Sequence, residues 1–230
     1  MTVQVLSLQG GNRHGATRFS DTMISPDQPF GFGNNWNPSQ NLVNPPVGNA
    51  YAGQDVAAAW NRGVTGISYT NPGGGGFSPV VFATPIPIDW SFCRSKNQFS
   101  EIQYVSTSAG IIRPVVFCFY DPNGANIYLL ELDTDILQFE LARWNNTTQT
   151  QIVAPSVATA FVANDVLRLE VDTTTTPGTT IVRGKKNGVT VATFNDNSGS
   201  KLTSGLFGFG GAGANPAVVA VLKNYNGGIM

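Results

Sequence analysis

Charge is scarce in this chain. Only 12% of its 230 residues are charged, and 13 Lys and Arg against 14 Asp and Glu leave a formal net charge of −1. Gripping a phosphate backbone takes a basic face, so nucleic acid is not expected as a partner. Cysteine and histidine are scarcer still: Cys93, Cys118 and the single His14. Two cysteines without metal spacing give neither a disulfide framework nor a metal site, and one histidine in "GNRHGATR" builds no nucleophile relay. No cofactor and no metal are expected. No apolar run approaches the roughly 18 residues of a membrane span, so no membrane partner is expected. The opening "MTVQVLSLQGGNRHG" lacks a positive stretch followed by an apolar core, which argues against a signal peptide and for synthesis in a cytoplasm.

What the chain does have is β-structure. From about residue 98 onward, segments such as "FSEIQYVST", "IIRPVVFCFY", "NIYLLELD", "ILQFELARW", "DVLRLEVDT", "TTIVRGKK", "VTVATFND" and "AVVAVLKNY" are rich in β-branched and aromatic residues. Each ends in a turn signal. Separators such as "DPNGAN", "NNTT" and "NG" leave no room for parallel crossovers, so the fold class is all-β, an antiparallel two-sheet sandwich. Its inward set is expected to include Ile102, Tyr104, Val116, Leu130, Phe139, Leu167, Leu169, Val182, Phe207 and Val219. The first 97 residues are Pro, Gly and Asn rich. They read as an irregular N-terminal region that lends a few strands, around Val64–Thr70 and Pro79–Thr84, with a short helix in "GQDVAAAWNR". Residues 1–18 form an N-terminal arm and 19–230 one domain.

Several stretches carry residue types that chemistry uses. In "LLELDTDILQFEL", Glu131, Asp133 and Asp135 alternate, which on a strand would aim three carboxylates one way. The competing reading makes "DTD" a turn, since Asp and Thr bond their own backbone. "DPNGAN" has calcium-loop residue types at Asp121, Asn123 and Asn126 but is also a common tight turn. "RGKK", Arg183 to Lys186, reads as a solvated strand end running into an Asn-Gly hairpin turn. "GGAGANP" reads as a link between the last two strands. Trp36, Trp60 and Trp90 read as caps on the core. Trp144, beside the amides of "NNTTQT", has two readings: an aromatic that stacks on a sugar, or one that buries at an edge of the sandwich.

The order of these features resembles the concanavalin A-like lectin and glucanase superfamily, in the form found in phage and microbial modules. The likeness is carried by "FSDTMISPDQPFGFGNNW", by "QFSEI" at Gln98 to Ile102, by "NIYLLELDTD", by "DVLRLEV" at Asp165 to Val171, by Asn187-Gly188 and by "LTSGLFGFG" at Leu202 to Gly210. The resemblance implies a jelly roll. Glucanases of the superfamily carry E-x-D-x-E or E-x-D-x-x-E on one strand; here Asp135 stands where Glu is expected, one methylene short of the spacing a retaining pair needs. No catalytic residue is therefore expected, and the chain is read as a non-enzyme. The resemblance points to a virion structural protein, a capsid decoration or tail-fibre module, assembled in a host cytoplasm on other coat proteins, with homo-oligomers and cell-surface glycans as further partners. The alternative is a soluble microbial module that binds or cleaves glycans. Trp144, Asn145 and Tyr128 are the expected glycan-binding residues. Phe19, Phe30, Phe32 and Trp36 are the expected contacts with coat partners.

Overall fold

Alternating apolar segments separated by turn residues settle into two antiparallel sheets. A computed structural model describes residues 18–21, 36–38, 60–63, 66–70, 81–85, 96–107, 112–121, 126–133, 138–145, 148–153, 161–213 and 219–230. One sheet has eight strands: β13 (Val189–Asp196), β12 (Thr180–Lys186), β11 (Val166–Asp172), β6 (Asn97–Thr107), β15 (Val219–Ile229), β4 (Gly66–Thr70) and β3 (Trp60–Gly63) lie side by side in that order. The eighth, β1 (Arg18–Asp21), continues beyond β4 along the same edge of β15. The second sheet runs β10 (Thr148–Val153), β9 (Gln138–Asn145), β8 (Asn126–Asp133), β7 (Ile112–Asp121), β14 (Leu206–Gly213), β5 (Val81–Pro85) and β2 (Trp36–Pro38). No helix occurs among the described residues.

The irregular first half is more deeply built in than its composition suggests. Five of its segments are strands, and the arm ends one residue early, because Arg18 already pairs with Gly228. The expected helix in "GQDVAAAWNR" is overturned at Trp60–Arg62, which pair with Tyr69, Ser68 and Ile67. Ten residues cannot sustain an isolated helix, whereas a neighbouring strand offers ladder bonds and cross-strand packing. Residues 53–59 lie outside the described residues. Between β12 and β13 the Asn-Gly turn forms as expected, with φ of 50° at Asn187 and 80° at Gly188, the left-handed pair that matches strand twist.

Alternation fills the interior. Of the expected inward set all are buried except Val219, whose side chain lies outside the described residues. In β6 the inward positions include two polar side chains, Gln98 and Ser100, both fully buried. They join the sheets. Gln98 Nε2 donates to the Gly205 carbonyl at 2.6 Å and its Oε1 accepts the Phe119 N–H at 3.3 Å, while Ser100 donates to the Gly208 carbonyl at 2.5 Å. The Phe119 N–H needs that partner because the β7–β8 ladder slips between Cys118 and Asp121, and Phe119 takes a left-handed φ of 56°. A bulge frees a backbone donor, and a buried donor must be satisfied. At two positions glycine makes room for side chains between the sheets: a Cβ on Gly184 would lie 2.9 Å from Leu130 of the other sheet, and one on Gly227 would meet the Tyr225 hydroxyl and lie 2.6 Å from the Phe207 ring.

Ion pairs around β11 and β12 correct the reading of "RGKK" as a solvated end. Lys185 pairs with Glu170 at 2.8 Å and Lys186 with Asp165 at 2.9 Å. Arg168 reaches Glu170 at 2.7 Å and Glu101 at 3.2 Å and covers the Phe99 ring at 4.1 Å. Opposite charges on adjacent strands make a ladder, although at this exposure each pair adds little stability. At the end of β11, Asp172 organises "DTTTT". Its carboxylate accepts the backbone N–H groups of Thr174 at 2.8 Å and Thr175 at 3.1 Å and the hydroxyls of both threonines. Burial pushes its pKa up, but these hydrogen bonds outweigh burial and hold it at about 2.

Two outcomes follow. Gly227→Ala forces a methyl group onto Phe207 and costs about 1–3 kcal/mol in urea unfolding, while Gly199→Ala, with open space around its Cβ, stays within about 0.5 kcal/mol. Equal midpoints for the two variants would contradict the packing argument. A carboxyl group whose folded pKa is depressed stabilises above its unfolded pKa, and that contribution is lost as pH falls through the folded value. Asp172→Ala should therefore cost on the order of 2 kcal/mol at pH 7, and the gap from the native protein should close between about pH 4 and pH 2. A gap unchanged over that range would show that the carboxylate charge is not what holds the loop.

Candidate functional site

Glu131, Asp133 and Trp144, singled out in the sequence, lie on the hairpin of β8 and β9. In β8, Tyr128, Leu130 and Leu132 point between the sheets, as the approach of Leu130 to Gly184 shows. Ile127, Leu129, Glu131 and Asp133 therefore share the outer face. The register sets Ile127 opposite Trp144, Leu129 opposite Ala142, Glu131 opposite Glu140 and Asp133 opposite Gln138. Gln149 and Gln151 of β10 continue the rows of Trp144 and Ala142. On this face the sequence sets acids, amides and an indole at neighbouring register positions. Such groups take up hydroxyls as acceptors and donors and cover the apolar side of a sugar.

Access across the face is uneven. Ile127, Leu129 and Glu131 are almost completely buried, Glu131 at 3% exposure, whereas Glu140 is half-buried. Two carboxylates directly opposite one another repel, and neither is without a partner here. The β8–β9 ladder closes at Asp133 opposite Gln138. Asp133 thus belongs to the strand rather than to the turn expected for 133–135, and Asp135 lies outside the described residues.

Tyr128 is a correction. It was expected to bind sugar, but it is fully buried between the sheets, where its hydroxyl donates to Asp196 Oδ2 at 2.6 Å and accepts the Leu202 N–H at 3.1 Å. Alternation decides this: Tyr128 pairs with Arg143, not with Trp144. Arg143 donates to the same Asp196 oxygen at 2.6 Å and to Ser198 at 2.9 Å, and Ser198 donates to Asp196 Oδ1 at 2.6 Å. Burial, then the Asp196 hydrogen bond, pushes the Tyr128 pKa up; burial also raises that of Asp196, but the bonds from Ser198, Tyr128 and Arg143 outweigh it and hold the carboxyl below its usual range. The cluster is an internal clasp, closed to ligand.

The other expected residues are dispersed. Asn145 ends β9 opposite Thr148. Phe19 stands on β1 opposite Gly227, and Trp36 stands on β2 opposite Pro85; Phe30, Phe32, His14 and Cys93 lie outside the described residues. Asp121 and Asn126 face each other where β7 passes into β8, and among the described residues no group of three or more His, Cys, Asp or Glu is arranged to hold a metal ion. Cys118 is buried, which pushes its thiol pKa well up and leaves it unreactive. Sequence reasoning missed Glu140. Its signal was present in "LQFELARW", where Glu140 lies two residues before Ala142 and four before Trp144 and so shares their face.

No protein-family model matches the chain, and no curated protein does. Solved structures do. An endo-1,3-beta-glucanase from Streptomyces sioyaensis is similar with a TM-score of 0.58 at 13% identity, covering 96% of this chain and 100% of that one. A Bacillus licheniformis beta-glucanase gives 0.57 at 10% identity over 93% and 99%. The carbohydrate binding module CBM66 from Bacillus subtilis gives 0.50 at 15% identity over 76% and 94%. At such identities likeness speaks for architecture alone: the chain has the concanavalin A-like jelly-roll fold.

Proposed function

We propose that the protein is a carbohydrate-binding module that holds a polysaccharide along the outer face of β9 and β10 without cleaving it. The observation that carries this reading is the register that sets Trp144, Glu140, Gln149 and Gln151 on one face of adjacent strands. The known activities of the similar structures, two glucanases and one carbohydrate binding module by their descriptions, support the same ligand class. The non-cleaving reading is supported by Glu131, the residue in the place of a glucanase acid, whose 3% exposure suits a buried structural role better than that of a nucleophile or proton donor. The coat-assembly reading draws no support from these likenesses.

Affinity electrophoresis and calorimetry with laminarin and lichenan test the proposal. The native protein should be retarded by at least one of them, and Trp144→Ala should weaken binding about tenfold or more, the equivalent of roughly 1.4 kcal/mol, with an unchanged unfolding midpoint. Reducing ends should stay at background for the native protein and for Glu131→Gln alike. Binding that survives Trp144→Ala would move the site elsewhere, and sugar release abolished by Glu131→Gln would make the protein an enzyme.

A further inference from the structure

The Asn187-Gly188 pair that turns β12 into β13 is also the dipeptide most open to losing a side-chain amide, because glycine places no side chain in front of its own backbone nitrogen. Both residues are exposed, and nothing lies within 4 Å of a Cβ built on Gly188. Water and the attacking nitrogen are both at hand. Yet the Asn187 amide is tied at both ends: Nδ2 donates to Asp165 Oδ1 at 2.6 Å, and Oδ1 accepts the Val166 N–H at 2.8 Å. Turning Cγ onto the Gly188 nitrogen requires both bonds to break.

Asp165 is a firm anchor for this tie. It is 7% exposed, its Oδ2 accepts the Val162 N–H at 2.7 Å, and Lys186 pairs with it at 2.9 Å. Burial raises its pKa, but the bonds from Val162, Lys186 and Asn187 outweigh burial and keep the carboxyl below its usual range, so it is an acceptor at neutral pH.

We infer that Asn187 is a deamidation site held closed by Asp165, and that its conversion irreversibly loosens the corner where β11, β12 and β13 meet. The Gly188 nitrogen gives up its proton and bonds to Asn187 Cγ, the Cγ–Nδ2 bond breaks, and ammonia leaves. Water then opens the succinimide at either carbonyl to aspartate or isoaspartate, so that amide and water become carboxylic acid and ammonia. Aspartate sets an acceptor against Asp165 Oδ1 where a donor stood at 2.6 Å. Isoaspartate adds a carbon to the backbone of a two-residue turn. Either product removes the tie that slowed the reaction.

The test ages the full chain in mildly alkaline buffer and follows conversion by peptide mapping, with Asn226-Gly227, a second Asn-Gly pair on the paired strand β15, as internal reference. Asp165→Ala should convert at Asn187 several-fold faster than the native protein, with Asn226 unchanged in both. Equal rates at Asn187 would overturn the proposal. If Asp165→Ala unfolds, Asn226 accelerates with it, and Asp165→Asn decides: a neutral tie should give a rate between native and a free peptide of the turn, and a native rate would again overturn the proposal. Asn187→Asp should melt below the native protein, and the exchange Asp165→Asn with Asn187→Asp, which restores one donor facing one acceptor, should recover most of the loss. Native stability in Asn187→Asp would show that the product does not loosen the corner.

Discussion

A carboxylate buried between two apolar sheets must have its lone pairs used, and Asp196 meets that demand with groups from both sheets. Tyr128 of β8 and Arg143 of β9 bond one oxygen, and Ser198, just after β13, bonds the other. Removing Arg143 would leave an uncompensated buried charge, and removing Tyr128 or Ser198 would take away a buried hydrogen bond, so the clasp favours one arrangement of β8 and β9 against β13. That arrangement fixes parity. With Tyr128 and Arg143 pointing in, Ile127 and Trp144 take the outer face. A slip of one residue would turn every side chain over, bringing Trp144 inside and Glu131 against the core.

The two outer faces consequently differ in kind. On the eight-stranded sheet, β6, β11 and β12 alternate acids and bases across neighbouring strands, with Arg168 lying on Phe99. On the seven-stranded sheet, β7 and β8 carry buried apolar side chains on both faces: Val115, Phe117, Ile127 and Leu129 outside, Val116 and Leu130 inside. That second face turns polar at Glu131 of β8 and at Glu140 of β9. Ligand chemistry there has to be argued along one side of the sheet and not across its whole width.

Much of this architecture was legible because its causes are local. Strand periodicity picked out the core from Ile102 to Phe207, and Asn187-Gly188 declared its turn through the one residue pair that accepts two left-handed conformations. Failures arose where the cause lies far along the chain. Tyr128 looked like a sugar-facing aromatic until Asp196 supplied a partner for its hydroxyl, and nothing in "NIYLLELD" announces that partner. "GQDVAAAWNR" has helical composition, but Trp60 to Arg62 answer to "ISYT" across a hairpin. The lysines of "RGKK" looked free because Glu170 and Asp165 belong to another segment. Glu140 was overlooked for a different reason: attention went to spacing within one strand, whereas the outer face is assembled from positions directly opposite on two.

β15 follows every other strand in sequence, yet it lies inside the eight-stranded sheet and pairs with β6 along one edge and with β4 and β1 along the other. Until it arrives, β1 lacks its partner among the described strands, and the β3–β4 hairpin has none of them to join. Early strands must wait for the last one, across the largest separations the chain offers, and contacts of that kind make folding slow. The hairpins β7–β8–β9 and β11–β12–β13 can form beforehand from near neighbours. Completion of the eight-stranded sheet is thus an event of the whole chain, and a ribosome still holding β15 holds back the N-terminal strands with it.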